Sequence, residues 1–231
     1  MKFGAIVAMS FLASAGLAEA CTSEGVLFFD PAPEVTLFVL PDDLPIDDTR
    51  GITVTGAYTG TDTRRSGAHM PVGFLLRDGE VINRNGGRMD GVLLVDEDGA
   101  RITRRDVIGI DSAEGRVAFA EGAAGRPVSL LQSHLLISEG ELDIHEVEDA
   151  PRFTRRILIE TEAGMGIWQS AQPLTLYAAA VAVEEACAPR MALNLDMGSY
   201  DYCTLDGVYC GLLRDTERLS NLIRLERGQR P

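Results

Sequence analysis

Lysine is all but absent from this sequence: Lys2 is the only one, so every other basic side chain is an arginine. Basic groups as a whole are outnumbered. Lys and Arg total 21 against 35 Asp and Glu, for a formal net charge of -14. Such a balance argues against nucleic acid and anionic membrane surfaces as partners, since both would be repelled. It favours solubility and carries no information about fold. Beyond the N-terminal stretch there is no apolar run of the roughly 20 residues that a membrane-spanning helix needs. There is no C-x-x-C, and no His lies near a cysteine, which weighs against a structural zinc site. H-E-x-x-H, P-loop and dinucleotide fingerprints are all missing. So is the G-x-S-x-G elbow that would mark a Ser-His-Asp hydrolase. No internal repeat and no low-complexity linker interrupts the chain.

The N-terminus supplies the first positive signal. Lys2 precedes an apolar stretch from Phe3 to Leu17, and Ala18-Glu19-Ala20 closes it with an A-x-A cleavage pattern. The expectation is a signal peptide over 1–20 and a periplasmic or secreted protein. Removal of Lys2 and Glu19 cancels, so the net charge is unchanged. The roughly 210 residues that remain suit one domain with a sizeable core. A lipid anchor at Cys21 is the weaker reading, because Ala18 stands where a lipobox has Leu and Glu19 is ill suited. An oxidising compartment would make the four cysteines, Cys21, Cys187, Cys203 and Cys210, two disulfides. Four cysteines allow three pairings. Cys203 and Cys210 could close a small loop, with Cys187 reaching Cys21.

Short strands with turns between them dominate the pattern. Val35–Leu40, Ile52–Thr55, Val72–Leu76, Glu80–Ile82, Gly91–Val95 and Ala100–Thr103 read as strands, the last four arranged about the hairpin turns Asp78-Gly79 and Asp98-Gly99. Arg116–Phe119, Val128–Leu131, Leu135–Ile137, Ile157–Glu160, Gly166–Trp168 and Met191–Leu195 add more. One helix is clear: Thr175 is a suitable N-cap, Leu176–Ala186 is Ala-rich, and Pro189 stops it. Leu219–Arg227 reads equally as helix or closing strand. The expectation is an α+β fold over 21–231, with a mixed and antiparallel sheet and one main helix at about 175–187.

Candidate chemistry gathers at a few points. Asn194-Leu195-Asp196-Met197-Gly198-Ser199 is an apolar strand ending in a carboxylate, a permissive turn and a hydroxyl. Arg155 and Arg156 precede a strand and should point to opposite faces, one to solvent and one into a site; their planar forks match phosphate or carboxylate oxygens. Gln132-Ser133-His134 lies between two strands, where Gln132 can orient a sugar hydroxyl and His134 can act as acid or base. The polar loop from Thr59 to Met70 carries Arg64, Arg65 and His69, while His145 sits in an acidic, surface-like stretch. Asp196, Asp201 and Asp206 could surround a calcium ion, but their spacing fits no EF-hand loop. The expectation is therefore no metal and no cofactor.

Taken in order, these segments resemble the phosphodiester glycosidase family, whose members include the enzyme that removes N-acetylglucosamine to uncover mannose 6-phosphate. The resemblance runs through Pro71-Val72-Gly73 into the Asp78-Gly79 hairpin, then Gly91–Val95 with Asp98-Gly99, Gln132-Ser133, Arg155-Arg156 and Asn194-Leu195-Asp196-Met197-Gly198-Ser199. It covers roughly residues 51 to 226. Thr55-Gly56-Ala57 stands where the family has Asn-Ala-Gly or Asn-Gly-Gly. His134-Leu135 replaces Gly-Pro, and Met197 replaces a Gly. The resemblance implies a hydrolase of sugar phosphodiesters with Asp196, Arg155, Arg156 and Gln132 as its catalytic set. Asn194, Ser199, Ser133, His134, Thr55 and Gly56 would contact a carbohydrate or sugar-phosphate substrate. The departures support a second reading, an inactive carbohydrate-binding or envelope-assembly module on the same scaffold.

Overall fold

The computed structural model describes residues 21, 24–43, 50–61, 69–197, 201–211 and 216–228. The expected signal peptide, Arg64, Arg65 and Ser199 lie outside them. In chain order the elements begin with β1 (Val26–Asp30), β2 (Glu34–Val39), β3 (Gly51–Thr55), β4 (Thr59–Thr61), β5 (His69–Pro71), β6 (Leu75–Arg77), β7 (Glu80–Asn83), β8 (Gly91–Asp96) and β9 (Gly99–Arg104). After helix α1 (Ala113–Ala123) come β10 (Ser129–Ser133), β11 (Leu135–Ser138), β12 (Glu141–Leu142), β13 (Arg156–Thr161) and β14 (Gly164–Gln169). Helix α2 (Leu176–Cys187) leads to β15 (Met191–Leu195), β16 (Cys203–Leu205), β17 (Val208–Tyr209) and β18 (Asn221–Glu226).

The strands form a six-stranded sheet, β1-β14-β13-β15-β11-β12, and two five-stranded sheets, β7-β6-β10-β8-β9 and β17-β16-β3-β18-β2, with a small β4-β5 ribbon. Every strand pairing among the described residues is antiparallel. The molecule is thus mostly β rather than α+β, and the expected mixed sheet is not found.

All three larger sheets turn a face into one shared core. Phe28, Leu158, Ile167 and Leu193 come from the first, Leu75, Leu93 and Leu131 from the second, and Ile52, Val54, Ile223 and Leu225 from the third. Each such side chain contributes roughly 1.5–3 kcal/mol by leaving water. Strands β13 and β15 are apolar on both faces for a physical reason. Leu158 and Leu193 enter the shared core, while Ile157, Ile159 and Ala192 lie beneath α2. Helix α2 starts where expected: the Thr175 hydroxyl accepts from the Ala178 N–H at 3.0 Å. Its buried face is Ala179, Ala180 and Val183, small enough to bring the helix close to the sheet.

Arg116–Phe119 is not a strand but part of α1. Ser112 caps that helix by accepting from the Gly115 N–H at 2.9 Å. Phe119, Ala120 and Ala123 then pack on the outer face of the second sheet, against a cluster that includes Phe74, Leu94 and Leu130. The short Val-Ala-Phe alternation reflects that packing and not a strand period. The ambiguous tail is strand β18, central between β2 and β3. At the first D-G turn, Asp78 and Gly79 both take positive φ, 48° and 78°. A Cβ on Gly79 would meet the Ala123 carbonyl at 2.4 Å, so the glycine also lets the hairpin tip close against the end of α1.

The disulfides are Cys21–Cys187 and Cys203–Cys210, and no cysteine among the described residues is free. The first ties the start of the described chain to the last turn of α2. No helix among the described residues is long and apolar enough to cross a membrane.

Candidate functional site

Three strand ends converge. β3 runs into the segment 56–59, β10 passes to β11 through His134, and β15 ends at Asp196. Backbone bonds lock them: the Asp196 N–H donates to the Gly56 carbonyl at 2.8 Å, and the Asn194 N–H to the His134 carbonyl at 2.9 Å. The Asn221 amide holds the first segment by accepting from the Ala57 N–H at 2.7 Å and donating to the Ala57 carbonyl at 3.1 Å. Gly56 is required by crowding, because a Cβ there would meet Asn221 Oδ1 at 2.2 Å. The Ser133 hydroxyl donates to the Asn194 carbonyl from a fully buried position.

Into this junction project Tyr58, His134, Asn194 and Asp196. Asn194 Nδ2 donates to the Tyr58 hydroxyl oxygen and, at 3.0 Å, to the Leu195 carbonyl. The Tyr58 and His134 rings meet edge to face, with centroids 5.6 Å apart. Asp196 Oδ2 accepts from the Thr59 N–H at 3.2 Å. Burial pushes the Asp196 carboxyl from its usual 3.8 up to about 6; the Thr59 N–H opposes the rise and the charge of Asp201 adds to it. Burial also pushes the Tyr58 phenol up to about 12, against the pull of Arg155. The His134 imidazole is held below its ordinary value by burial, with Asp90 opposing. At neutral pH this gives an ionised carboxylate, a protonated phenol and a neutral imidazole.

Asn194 carries a further mark of an incomplete site. Its Oδ1 is buried and has no hydrogen-bond partner among the described residues. An orphaned buried acceptor costs about 1–3 kcal/mol, and such groups in native structures call for an explanation.

The two arginines part company. Arg155 Nε donates to the Leu174 carbonyl and Nη2 to the Pro151 carbonyl, both at 2.9 Å. Its guanidinium also lies 5.2 Å from the centre of the Phe153 ring. No acidic side chain among the described residues bridges to it. Burial pulls its pKa down, and the Tyr58 phenol opposes that pull. Arg155 also lines a cleft of about 340 Å³ with His145, Pro151 and Tyr177. Arg156 instead is wholly buried and bonds Asp201 at 2.5 Å, with Gln169 Oε1 at 2.6 Å. Neither arginine faces solvent as expected.

Other expected residues go elsewhere. Gln132 is saturated by backbone: its Oε1 accepts from Phe74 and Gly87 N–H groups, and its Nε2 donates to the Met89 carbonyl. It braces the loop 84–90. The Thr55 hydroxyl accepts from the Tyr202 N–H at 2.9 Å and belongs with the Arg156–Asp201 pair. Asp206 pairs with Arg227 at 3.0 Å, so the three aspartates do not meet. No cluster of three His, Cys, Asp or Glu side chains among the described residues could hold a metal ion. Tyr58, Thr59 and Asn221 were missed by sequence reasoning. The only available signal was an aromatic directly after Gly56-Ala57.

No protein-family model matches the chain, and no curated protein matches it. Its fold does have solved counterparts. The catalytic domain of zebrafish N-acetylglucosamine-1-phosphodiester α-N-acetylglucosaminidase, auto-inhibited by its pro-peptide, superposes with a TM-score of 0.54 at 15% identity, over 86% of this chain and 73% of that one. A protein from Burkholderia pseudomallei K96243 described as exported gives 0.51 at 11% identity, over 84% and 71% of the two chains. A hypothetical protein from Synechocystis gives 0.50 at 11%, over 85% of this chain and 57% of that one. At these identities the likeness is one of fold: this chain has the architecture on which that glycosidase is built.

Proposed function

We propose that this chain is an exported hydrolase that cleaves the glycosidic bond of a sugar 1-phosphodiester or a related envelope glycan linkage. The observation that carries the reading is Arg155: a buried residue whose guanidinium has no acidic partner among the described residues, and whose charge acts on the Tyr58 phenol together with that of Asp196. A buried cation of this kind is stabilised by a bound anion. The fold shared with a phosphodiester glycosidase supports the same choice.

In the reaction, water adds at the anomeric carbon as the bond from that carbon to the phosphate oxygen breaks. The products are the free sugar and a phosphate monoester, and the proton passes to solvent. The leaving phosphate is already a weak base, so a general acid matters less than in an ordinary two-carboxylate glycosidase. Arg155 binds the phosphate oxygens and stabilises the charge left on them. Asp196, ionised above about pH 6, activates the water or offsets positive charge on the sugar. Asn194 and the Tyr58 hydroxyl orient sugar hydroxyls. The net charge of -14 opposes an anionic substrate, so affinity rests on the local arginine. The signal-like start and the two disulfides support an extracytoplasmic site of action.

The Tyr58–His134 ring contact favours a second reading. A ring stands where the resembled family has glycine, and it packs edge to face on Tyr58. A carbohydrate-binding module would keep the hydroxyl contacts without turnover. Incubation with a panel of sugar 1-phosphodiesters decides between the two. Release of phosphate monoester that is lost in Asp196→Asn supports the hydrolase. Saturable binding without release supports the module.

A further inference from the structure

The cleft next to Arg155 is apolar apart from its rim. Ile144, Val147, Pro151, Leu176 and Tyr177 form its walls together with Arg155. Val147 is 65% exposed and Phe153, stacked on the Arg155 guanidinium, is 48% exposed. Both keep apolar surface in water beside a cleft that is open to receive more of it. The polar rim is His145, Glu148 and Asp149, all exposed. The first turn of α2 contributes Leu176 and Tyr177 and carries no acidic residue, so its positive end is unopposed on the Arg155 side. The lining thus combines one buried cation, apolar side chains and exposed carboxylates.

Arg155 is shared by this cleft and by the surroundings of Tyr58. On the hydrolase reading, a phosphate on Arg155 directs its sugar toward Tyr58 and Asp196, which leaves the cleft lined by Arg155 for its other ester. We infer that the cleft takes the second ester arm of the phosphodiester, and that this arm is an aliphatic alcohol rather than a sugar or glycerol. The inference rests on the hydrolase reading for the sugar side, but not for the binding of an alkyl phosphate. Walls that are mostly aliphatic reward methylene groups, and Tyr177 is the one among them that carries a hydroxyl. The acidic rim repels a phosphate that enters in the opposite direction, which fixes the head at Arg155.

Calorimetric titration of the chain with octyl phosphate, methyl phosphate, phenyl phosphate and uncharged octyl glucoside tests this without requiring turnover. Octyl phosphate should bind at least about tenfold more tightly than methyl phosphate, since each methylene in an apolar pocket contributes discrimination. It should also bind more tightly than octyl glucoside. Val147→Ser, on an exposed position and with no charge added to the cleft, should weaken octyl phosphate binding more than methyl phosphate binding. Equal affinity for octyl and methyl phosphate, or no binding of either, overturns the inference. A preference for phenyl over octyl phosphate overturns the aliphatic assignment. Octyl glucoside matching octyl phosphate removes Arg155 from it. Hydrolysis is scored separately on octyl and methyl sugar phosphodiesters. Failure of both with the octyl preference intact counts against the hydrolase and leaves the cleft assignment standing.

Discussion

Arg155 and Arg156 are neighbours in sequence with opposite electrostatic fates. Arg156 is sealed in an ion pair with Asp201, while the Arg155 guanidinium, among the described residues, meets carbonyls and a ring. The pair Arg156–Asp201 joins β13 to the segment before β16 and so links two sheets. Removing one partner leaves a buried charge. Arg156→Met should cost about 3–5 kcal/mol, and the double variant Arg156→Met with Asp201→Leu should recover much of it. Urea denaturation of the three variants checks this.

Arg155→Gln should behave differently. It loses bonds to two carbonyls, a cost of about 1–3 kcal/mol, and folds. On a sugar phosphodiester it should raise KM by roughly 10- to 100-fold, the worth of a charge-assisted hydrogen bond. Steady-state kinetics of Arg155→Gln beside a stability-matched core variant separates the two effects.

Asp196 should be a stability liability at neutral pH. Folding raises its pKa from 3.8 to about 6, so the folded chain holds the proton more tightly than the unfolded one. Well below pH 3.8 both states are protonated and nothing is lost. As pH rises through 6 the folded state bears the cost of a buried carboxylate. Asp196→Asn should therefore stabilise the chain by up to about 3 kcal/mol at pH 7.5 and by almost nothing at pH 3.5. Denaturation curves at the two pH values read this out.

Gln132 should prove structural. Gln132→Leu strips the loop 84–90 of its side-chain anchors and leaves Phe74 and Gly87 N–H groups without their acceptor. The expected loss is about 2–4 kcal/mol, with faster amide exchange confined to that loop and to Phe74. Unaltered exchange there would return Gln132 to the list of site residues.

Most strands were legible because their apolar runs and D-G turns are local signals. The helix at 176–187 was legible from Thr175, its alanines and Pro189. Helix α1 was not. Two glycines weaken its helical signal, and its packing against Phe74 is set by tertiary contact. The convergence of Asp196 and Asn194 on one junction was suggested by a strand that ends in polar groups. Distinguishing Arg155 from Arg156 needed the position of Asp201, forty-five residues away. Tyr58 needed the meeting of three strand ends. The bracing role of Gln132 needed the path of the loop 84–90. Each depends on long-range register, which composition and period do not encode. The same limit applied to the disulfides, where spacing suggested the pairing and only the fold selected it.

The most direct test of the central claim is the pH profile of kcat/KM for hydrolysis of an alkyl sugar 1-phosphodiester. The Asp196 carboxylate must be ionised to act, so activity should rise through about pH 6 and level off above it. Asp196→Asn should remove both the activity and the limb. A flat profile between about pH 5 and 8, or an Asn variant that keeps the wild-type rate, would contradict the assignment of Asp196 as the acting carboxylate.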